Sequence, residues 1–235
     1  MIRYASESGI NTHMYSNLLM LNNGVKIQAL VSSGLDRLTV SIDGVTQQTY
    51  EKYRVGGDLD SLFNIVSELV EAKRRSCNPS LKIVGQMVFT RQNEHEIDLF
   101  KQRALSLGLD YVVLKTASLG LTKRVGDHMI DSEVVKSFLP SLKEFRRYKN
   151  TEQNIRNGCS WLYKECAIYW NGDVTTCCHD PSGVNMMGNV FDEGSLWSVW
   201  NGSKYRLLRQ QVNDDIRLAE PLCSNCPDRV VIGES

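Results

Sequence analysis

Six of the seven cysteines of this 235-residue chain lie in its last third, at spacings that suit metal binding. Cys159 is followed by twelve residues, Gly172, four more residues and Cys177, and "CSNC" then supplies Cys223 and Cys226. A C-x-x-C turn presents two thiolates to one centre. A second pair from a hairpin completes a tetrahedral set of four sulfurs, the donor set of zinc or an iron–sulfur cluster. The doublet in "WNGDVTTCCHD" is read as part of a strand, where neighbouring side chains face opposite sides. One thiol of the doublet is therefore expected to bind metal and the other to pack as a small apolar group. The distance from Gly172 favours Cys177 as the ligand, with Cys178 and Cys166 as alternatives. Cys166, within "ECAIYW", is expected to face the core, Cys77 beside Pro79 to be an ordinary thiol, and His179 to be a turn residue.

The residues upstream must form the body that carries this module. "LDRLTVSIDG" places Leu38, Val40 and Ile42 on one face of a strand that stops at Asp43-Gly44. Leu59, Leu62, Phe63, Val66, Leu69 and Val70 then follow helical spacing, with Asp58 or Asp60 as a cap and three cations at the C-terminal end. "LKIVGQMVF" and "LDYVVLK" read as further strands, and Gln86 in the first of them is a polar side chain suited to lining a cavity. Asn93 with Glu96 predicts a capping arrangement for a helix that Gly108 closes. "NTHMYSN" predicts a strand, and "NGVKIQALVSSG" a helix ending at Gly34. This alternation implies an α/β fold with a parallel sheet, either barrel or doubly wound. Texture changes after a polar stretch, which predicts a body of residues 1–150 and a small α+β module of residues 151–235.

Lysine plus arginine equals aspartate plus glutamate at 27 each, which gives no electrostatic reason for a nucleic-acid or anionic-membrane partner. No apolar run approaches the roughly 18 residues of a spanning helix, and the N-terminus has no apolar signal region. A reducing, cytoplasmic setting is the expectation, and metal ligation then explains the thiols better than disulfides. There is no G-x-G-x-x-G or Walker A spacing, and no Ser-His-Asp or Cys-His arrangement. "SLWSVWNGSKYRLL" places Leu196, Val199, Trp200 and Leu207 or Leu208 at near-helical spacing, which predicts packing against the small module.

"CSWLYKECAIYWNGDVTTCCHD", "MGNVFDEGSLWSVWNGSKYRLLR" and the final "CSNC" together resemble the SPASM/twitch extension of radical SAM proteins. The resemblance covers about residues 159–228. It implies that Cys159, Cys177, Cys223 and Cys226 hold one auxiliary 4Fe–4S cluster, in the single-cluster twitch manner. "LDRLTVSIDGVTQQTYEKYR" is similar to the middle of a radical SAM (β/α) barrel. By position Ser41, Asp43 and Arg54 then lie near bound S-adenosyl-L-methionine (SAM), at the C-terminal end of a parallel strand where ligands of such sheets bind. The plain alternatives are a strand-terminating Asp-Gly turn and a surface ion pair.

The family's function would follow. A 5′-deoxyadenosyl radical abstracts hydrogen from a peptide or carbohydrate-like substrate, the auxiliary cluster accepts the remaining electron, and a flavodoxin- or ferredoxin-type protein donates electrons. The family's C-x3-C-x2-C for SAM cleavage is absent from these residues, and Cys77 is the only cysteine before Cys159. The chain is thus expected to begin inside the barrel, to be inactive in radical formation by itself and to expose apolar strand edges. Two further readings are a non-enzymatic electron relay or partner subunit, and a zinc-binding structural module.

Overall fold

Apolar residues at alternate positions of 37–42 and 82–89 produce the two central strands of a parallel sheet in the computed structural model. The structure describes residues 1–21, 23–76, 80–116, 137–141, 158–215 and 221–224. These fall into two compact units, the first made of the residues up to 116 with 137–141, the second of 158–215 with 221–224. The boundary expected near 150 lies outside the described residues.

In the first unit β1 (His13–Ser16), β2 (Arg37–Ser41), β3 (Lys82–Phe89) and β4 (Tyr111–Thr116) pair in the order β1-β2-β3-β4, all parallel. Sequential order means that each crossover advances the same way, and right-handed crossovers then lay their helices on one face. The helices are α1 (Ile2–Glu7), α2 (Gly24–Val31), α3 (Gln47–Tyr53), α4 (Leu59–Arg75) and α5 (Ile97–Ser106). Ile27, Val31, Leu62, Val66, Leu69 and Phe100 from α2, α4 and α5 pack with Leu38, Val40, Ile42, Ile83 and Met87 in one core. Each such side chain contributes about 2 kcal/mol by leaving water. Gly85 permits the close approach of α5, since a Cβ there would lie 2.9 Å from Leu109 Cδ1 and 3.4 Å from Phe100 Cζ.

The other face of the sheet carries a different set. Tyr15, Thr39, Val84 and Tyr111 form one row across the four strands, and Ser41, Gln86 and Val113 form the next. Thr39, Ser41, Val84 and Gln86 are buried, whereas Tyr15, Tyr111 and Val113 on the outer two strands are exposed.

Local signals explain most boundaries. The Asp58 carboxylate accepts the Ser61 N–H at 2.9 Å and starts α4. At the other end Lys73 grips both oxygens of Asp110 at 2.9 and 2.8 Å, and Asp110 also accepts the Ile83 N–H at 2.7 Å. Helix α4 is thereby tied to the entries of β3 and β4. Two helices of this unit are not expected from the sequence: α1, and α3, which Thr46 caps. The expected capping role of Asn93 and Glu96 is not what forms. A 3-10 turn, Glu94–Glu96, precedes α5, neither Asn93 nor Glu96 makes a side-chain cap bond, and both side chains turn to neighbouring loops.

The second unit opens with α6 (Trp161–Lys164), followed by an antiparallel sheet of β5 (Ala167–Ile168), β6 (Asp173–Thr175) and β7 (Met186–Asn189) in that order. Helices α7 (Leu196–Trp200), α8 (Ser203–Asp215) and α9 (Pro221–Ser224) complete it. Leu162, Val174, Met187, Val199, Tyr205, Leu208 and Val212 form its core. Leu208, not Leu207, faces inward, and Leu196 is exposed. Gly172 closes the β5–β6 turn at φ +87°, a backbone conformation that favours glycine. Arg209 joins α8 to α6 and α7, donating to the Leu162 and Trp200 carbonyls at 2.9 Å each. Its guanidinium also lies 5.4, 4.8 and 4.8 Å from the Tyr163, Trp200 and Tyr205 ring centroids.

Candidate functional site

The cysteines of the second unit are positioned from three directions. Gly158 donates its N–H to Val212 O at 2.9 Å, which fixes the chain beside α8 just before Cys159. Cys177 follows the end of β6, and Cys223 lies in α9. Cys159, Cys166 and Cys223 are partly buried against the apolar core. Burial raises the pKa of the Cys177 thiol; the His179 N–H and the Thr176 hydroxyl oppose the shift, while Cys178 and Cys159 add to it. Cys166 is raised by burial alone. A soft cation is what such thiols fit, because coordination supplies the charge compensation that this apolar setting lacks.

The doublet does not lie on a strand. β6 ends at Thr175, and Cys177 and Cys178 occupy the bend and turn that follow, so alternation of strand faces does not separate them. Cys178 is exposed instead of packed, while Cys177 is partly buried. The cause is Asp180, a buried side chain that the sequence reading did not single out. Its carboxylate accepts the Val184 N–H at 2.7 Å, the Asn185 N–H at 2.8 Å and the Thr175 hydroxyl. Its carbonyl accepts the Tyr169 hydroxyl. These bonds draw the chain into a closed loop between β6 and β7. Asn185, at the far end of that loop, donates from Nδ2 to Cys223 Sγ at 3.5 Å.

Among the described residues no three His, Cys, Asp or Glu side chains are grouped closely enough to hold a metal ion. Cys226, the fourth expected ligand, lies outside the described residues, as does Cys77. Cys159, Cys166 and Cys223 thus lie against one core, and Cys177 follows the strand whose Val174 belongs to it.

At the C-terminal ends of β2 and β3 the first unit holds a buried polar network. Asp43 is wholly buried. Its Oδ2 accepts from Arg54 Nε at 2.7 Å and pairs with Arg54 Nη2 at 2.6 Å, and its Oδ1 accepts the Val88 N–H at 2.7 Å. Asn93 Nδ2 donates to the Asp43 and Val88 carbonyls, both at 3.0 Å, while its Oδ1 accepts the Thr90 N–H at 2.6 Å. Glu96 reaches back to the Val45 N–H at 2.9 Å and the Thr46 hydroxyl at 2.8 Å. Both Asp43 oxygens are therefore occupied by protein, and the carboxylate orients Arg54 and ties the β2 loop to β3. Ser41 and Gln86 are register partners beside it, and Arg54 keeps 29% of its side-chain surface exposed. Asn93 and Glu96 escaped notice as site residues because an Asn followed three residues later by Glu reads locally as a helix start.

Residues 159–227 match the family model for the SPASM iron–sulfur cluster-binding domain. The match falls within the second unit and covers less than half of the chain. The expected ligands Cys159, Cys177, Cys223 and Cys226 all fall within the matched span. Among solved structures, anSMEcpe with bound AdoMet and the Kp18Cys peptide superposes with a TM-score of 0.56 at 10% identity, over 91% of this chain and 65% of that one. A hexahistidine-tagged form of anSMEcpe with bound AdoMet gives a TM-score of 0.56 at 11% identity, over 91% of this chain and 61% of that one. The chain therefore spans less than two thirds of the length of either. At such identity the likeness concerns the fold alone: a mixed α/β body with a parallel sheet, followed by the unit that carries the SPASM match. BtrN in an open conformation has a TM-score of 0.31 at 15% identity, over 85% of this chain and 75% of that one, too low to carry an argument. No curated protein matches the sequence. Among the described residues no helix is long and apolar enough to cross a membrane.

Proposed function

We propose that the SPASM domain binds one auxiliary 4Fe–4S cluster through Cys159, Cys177, Cys223 and Cys226, and that this centre accepts an electron during oxidation of a substrate. The observation that carries the reading is the coincidence of the SPASM match with Cys159 and Cys223, two of the expected ligands, set against one small core. Four protein thiolates leave no iron open to substrate, which favours electron transfer over direct substrate ligation. In this reading the first unit is part of a (β/α) barrel, which is supported by the sequential order of its strands and by the described core helices packing on one face. The opposite face, where Ser41 and Gln86 lie buried, would hold SAM. Ser41, Gln86 and Arg54 are the side chains offered to that ligand at the C-terminal strand ends, and Asp43 acts by orienting Arg54.

The 235 residues contain no C-x3-C-x2-C, so SAM cleavage is not expected from them alone. The intact system would act on a peptide or a sugar-like alcohol, with a flavodoxin- or ferredoxin-type donor. The peptide reading has support from the Kp18Cys peptide held by anSMEcpe.

Anaerobic reconstitution with iron and sulfide tests the cluster. The account expects a broad brown absorption with about four irons per chain. A colourless protein carrying one zinc ion would replace it with the structural-module reading.

A further inference from the structure

Resting on the cluster reading above, we propose that Asn185 tunes the cluster's reduction potential by donating an N–H···S hydrogen bond to the Cys223 ligand. The side chain is 2% exposed, and its Nδ2 lies 3.5 Å from Cys223 Sγ. Its Oδ1 is buried without a hydrogen-bond partner among the described residues. An unpaired buried carbonyl is costly, so a residue kept in this state needs a reason at its other end. A metal-bound thiolate provides one. It is an acceptor only, so the amide must present N–H to it, and the reverse orientation would set two electron-rich atoms face to face.

The backbone is arranged to hold that orientation. The Asp180 carboxylate accepts the N–H groups of both Val184 and Asn185, at 2.7 and 2.8 Å, and the Asn185 carbonyl accepts the Thr175 hydroxyl at 3.2 Å. Asn185 is thus clamped on both sides of its Cα, and its side chain has little freedom to leave the sulfur. Hydrogen bonds to cluster sulfurs are among the factors that set iron–sulfur potentials. A donor stabilises the reduced state, which carries the more negative charge on sulfur. Asn185 is a positioning residue in this scheme: it touches a ligand, not the substrate.

The test is a mediated redox titration of the reconstituted full chain, followed by electron paramagnetic resonance, with Asn185→Leu and Asn185→Asp beside the wild type. The leucine variant removes the donor at nearly constant volume, and the aspartate variant places negative charge against the sulfur. At a fixed applied potential the reduced-to-oxidised ratio should fall about tenfold for leucine, equal to about 59 mV for a one-electron couple. The fall should be larger for aspartate. Potentials matching wild type in both variants, with iron content retained, would overturn the tuning role and leave the cluster reading intact. Loss of the cluster from both variants would also overturn it, by showing that Asn185 builds the site instead of tuning it. A wild-type chain that takes up no iron would overturn both readings together.

Discussion

Both units bury carboxylates and amides, but they direct them differently. In the sheet unit Asp43, Asn93 and Glu96 close on loop backbone and on Arg54, so the strand ends are fixed by protein groups alone. In the second unit Asp180 and Asn185 also close a loop, yet that loop ends with an N–H aimed at a cysteine sulfur. The apolar support differs as well. Among the described residues seven buried side chains form the second core, against twenty-three in the first. On the proposed cluster reading, a small core with half-buried thiols should depend on its metal, because binding energy there would be folding energy. The first unit should stand without any ligand.

Removing iron is the strongest way to break this contrast. In the iron-free chain the amides of α8 should exchange with solvent at least tenfold faster than in the loaded one, while those of α4 keep their protection, as measured by hydrogen-exchange mass spectrometry. Equal loosening of both helices would erase the distinction. Single ligand changes should behave alike: Cys177→Ala or Cys223→Ala should lose most of the iron, whereas Cys178→Ala should retain it, since Cys178 is exposed.

Changes in the first unit should cost stability and leave iron content alone. Leu69→Ala empties a fully buried site between α4 and the sheet, and should destabilise that unit by about 2–5 kcal/mol in denaturant titrations. Arg54→Met strands the Asp43 carboxylate in a buried setting and should cost about 3 kcal/mol. The double variant with Asp43→Asn should recover part of that loss. An Arg54→Met protein as stable as wild type would show that the ion pair does not brace the loop.

The smallest effect concerns pH. Burial alone would raise the Asp110 carboxyl pKa, but Lys73, the Ile83 N–H and Lys82 together hold it below the usual carboxylate range. A depressed folded pKa means that the contribution is complete above the ordinary carboxylate value and is lost as pH falls through the lower, folded one. Acid unfolding curves of Asp110→Asn should therefore be flatter in the acidic range than those of wild type, with a stability loss of about 1–2 kcal/mol at neutral pH.

Long periodic segments were legible in the sequence. Helix α4 and its Asp58 cap, the three longer strands and the parallel topology follow from apolar spacing and turn residues, because those signals act within a few residues. Helix α3 was not legible: Tyr50 is its only buried apolar residue, so it has no apolar stripe to read. Asn93 and Glu96 misled because tertiary partners 50 and 51 residues away claimed their side chains. The cysteine doublet misled for a similar reason, since Asp180 bends the chain off the sheet just before the thiols. The cysteine spacing and the SPASM resemblance were fully visible, whereas the Asn185–Cys223 contact spans 38 residues and leaves no local pattern.

The most direct test of the central claim is native mass spectrometry of the anaerobically reconstituted chain. The account predicts that about four irons and four sulfides add as one unit, and that this unit is lost whole when Cys223 and Cys226 are both replaced by alanine. A single zinc ion, or iron that persists in the double variant, would contradict it.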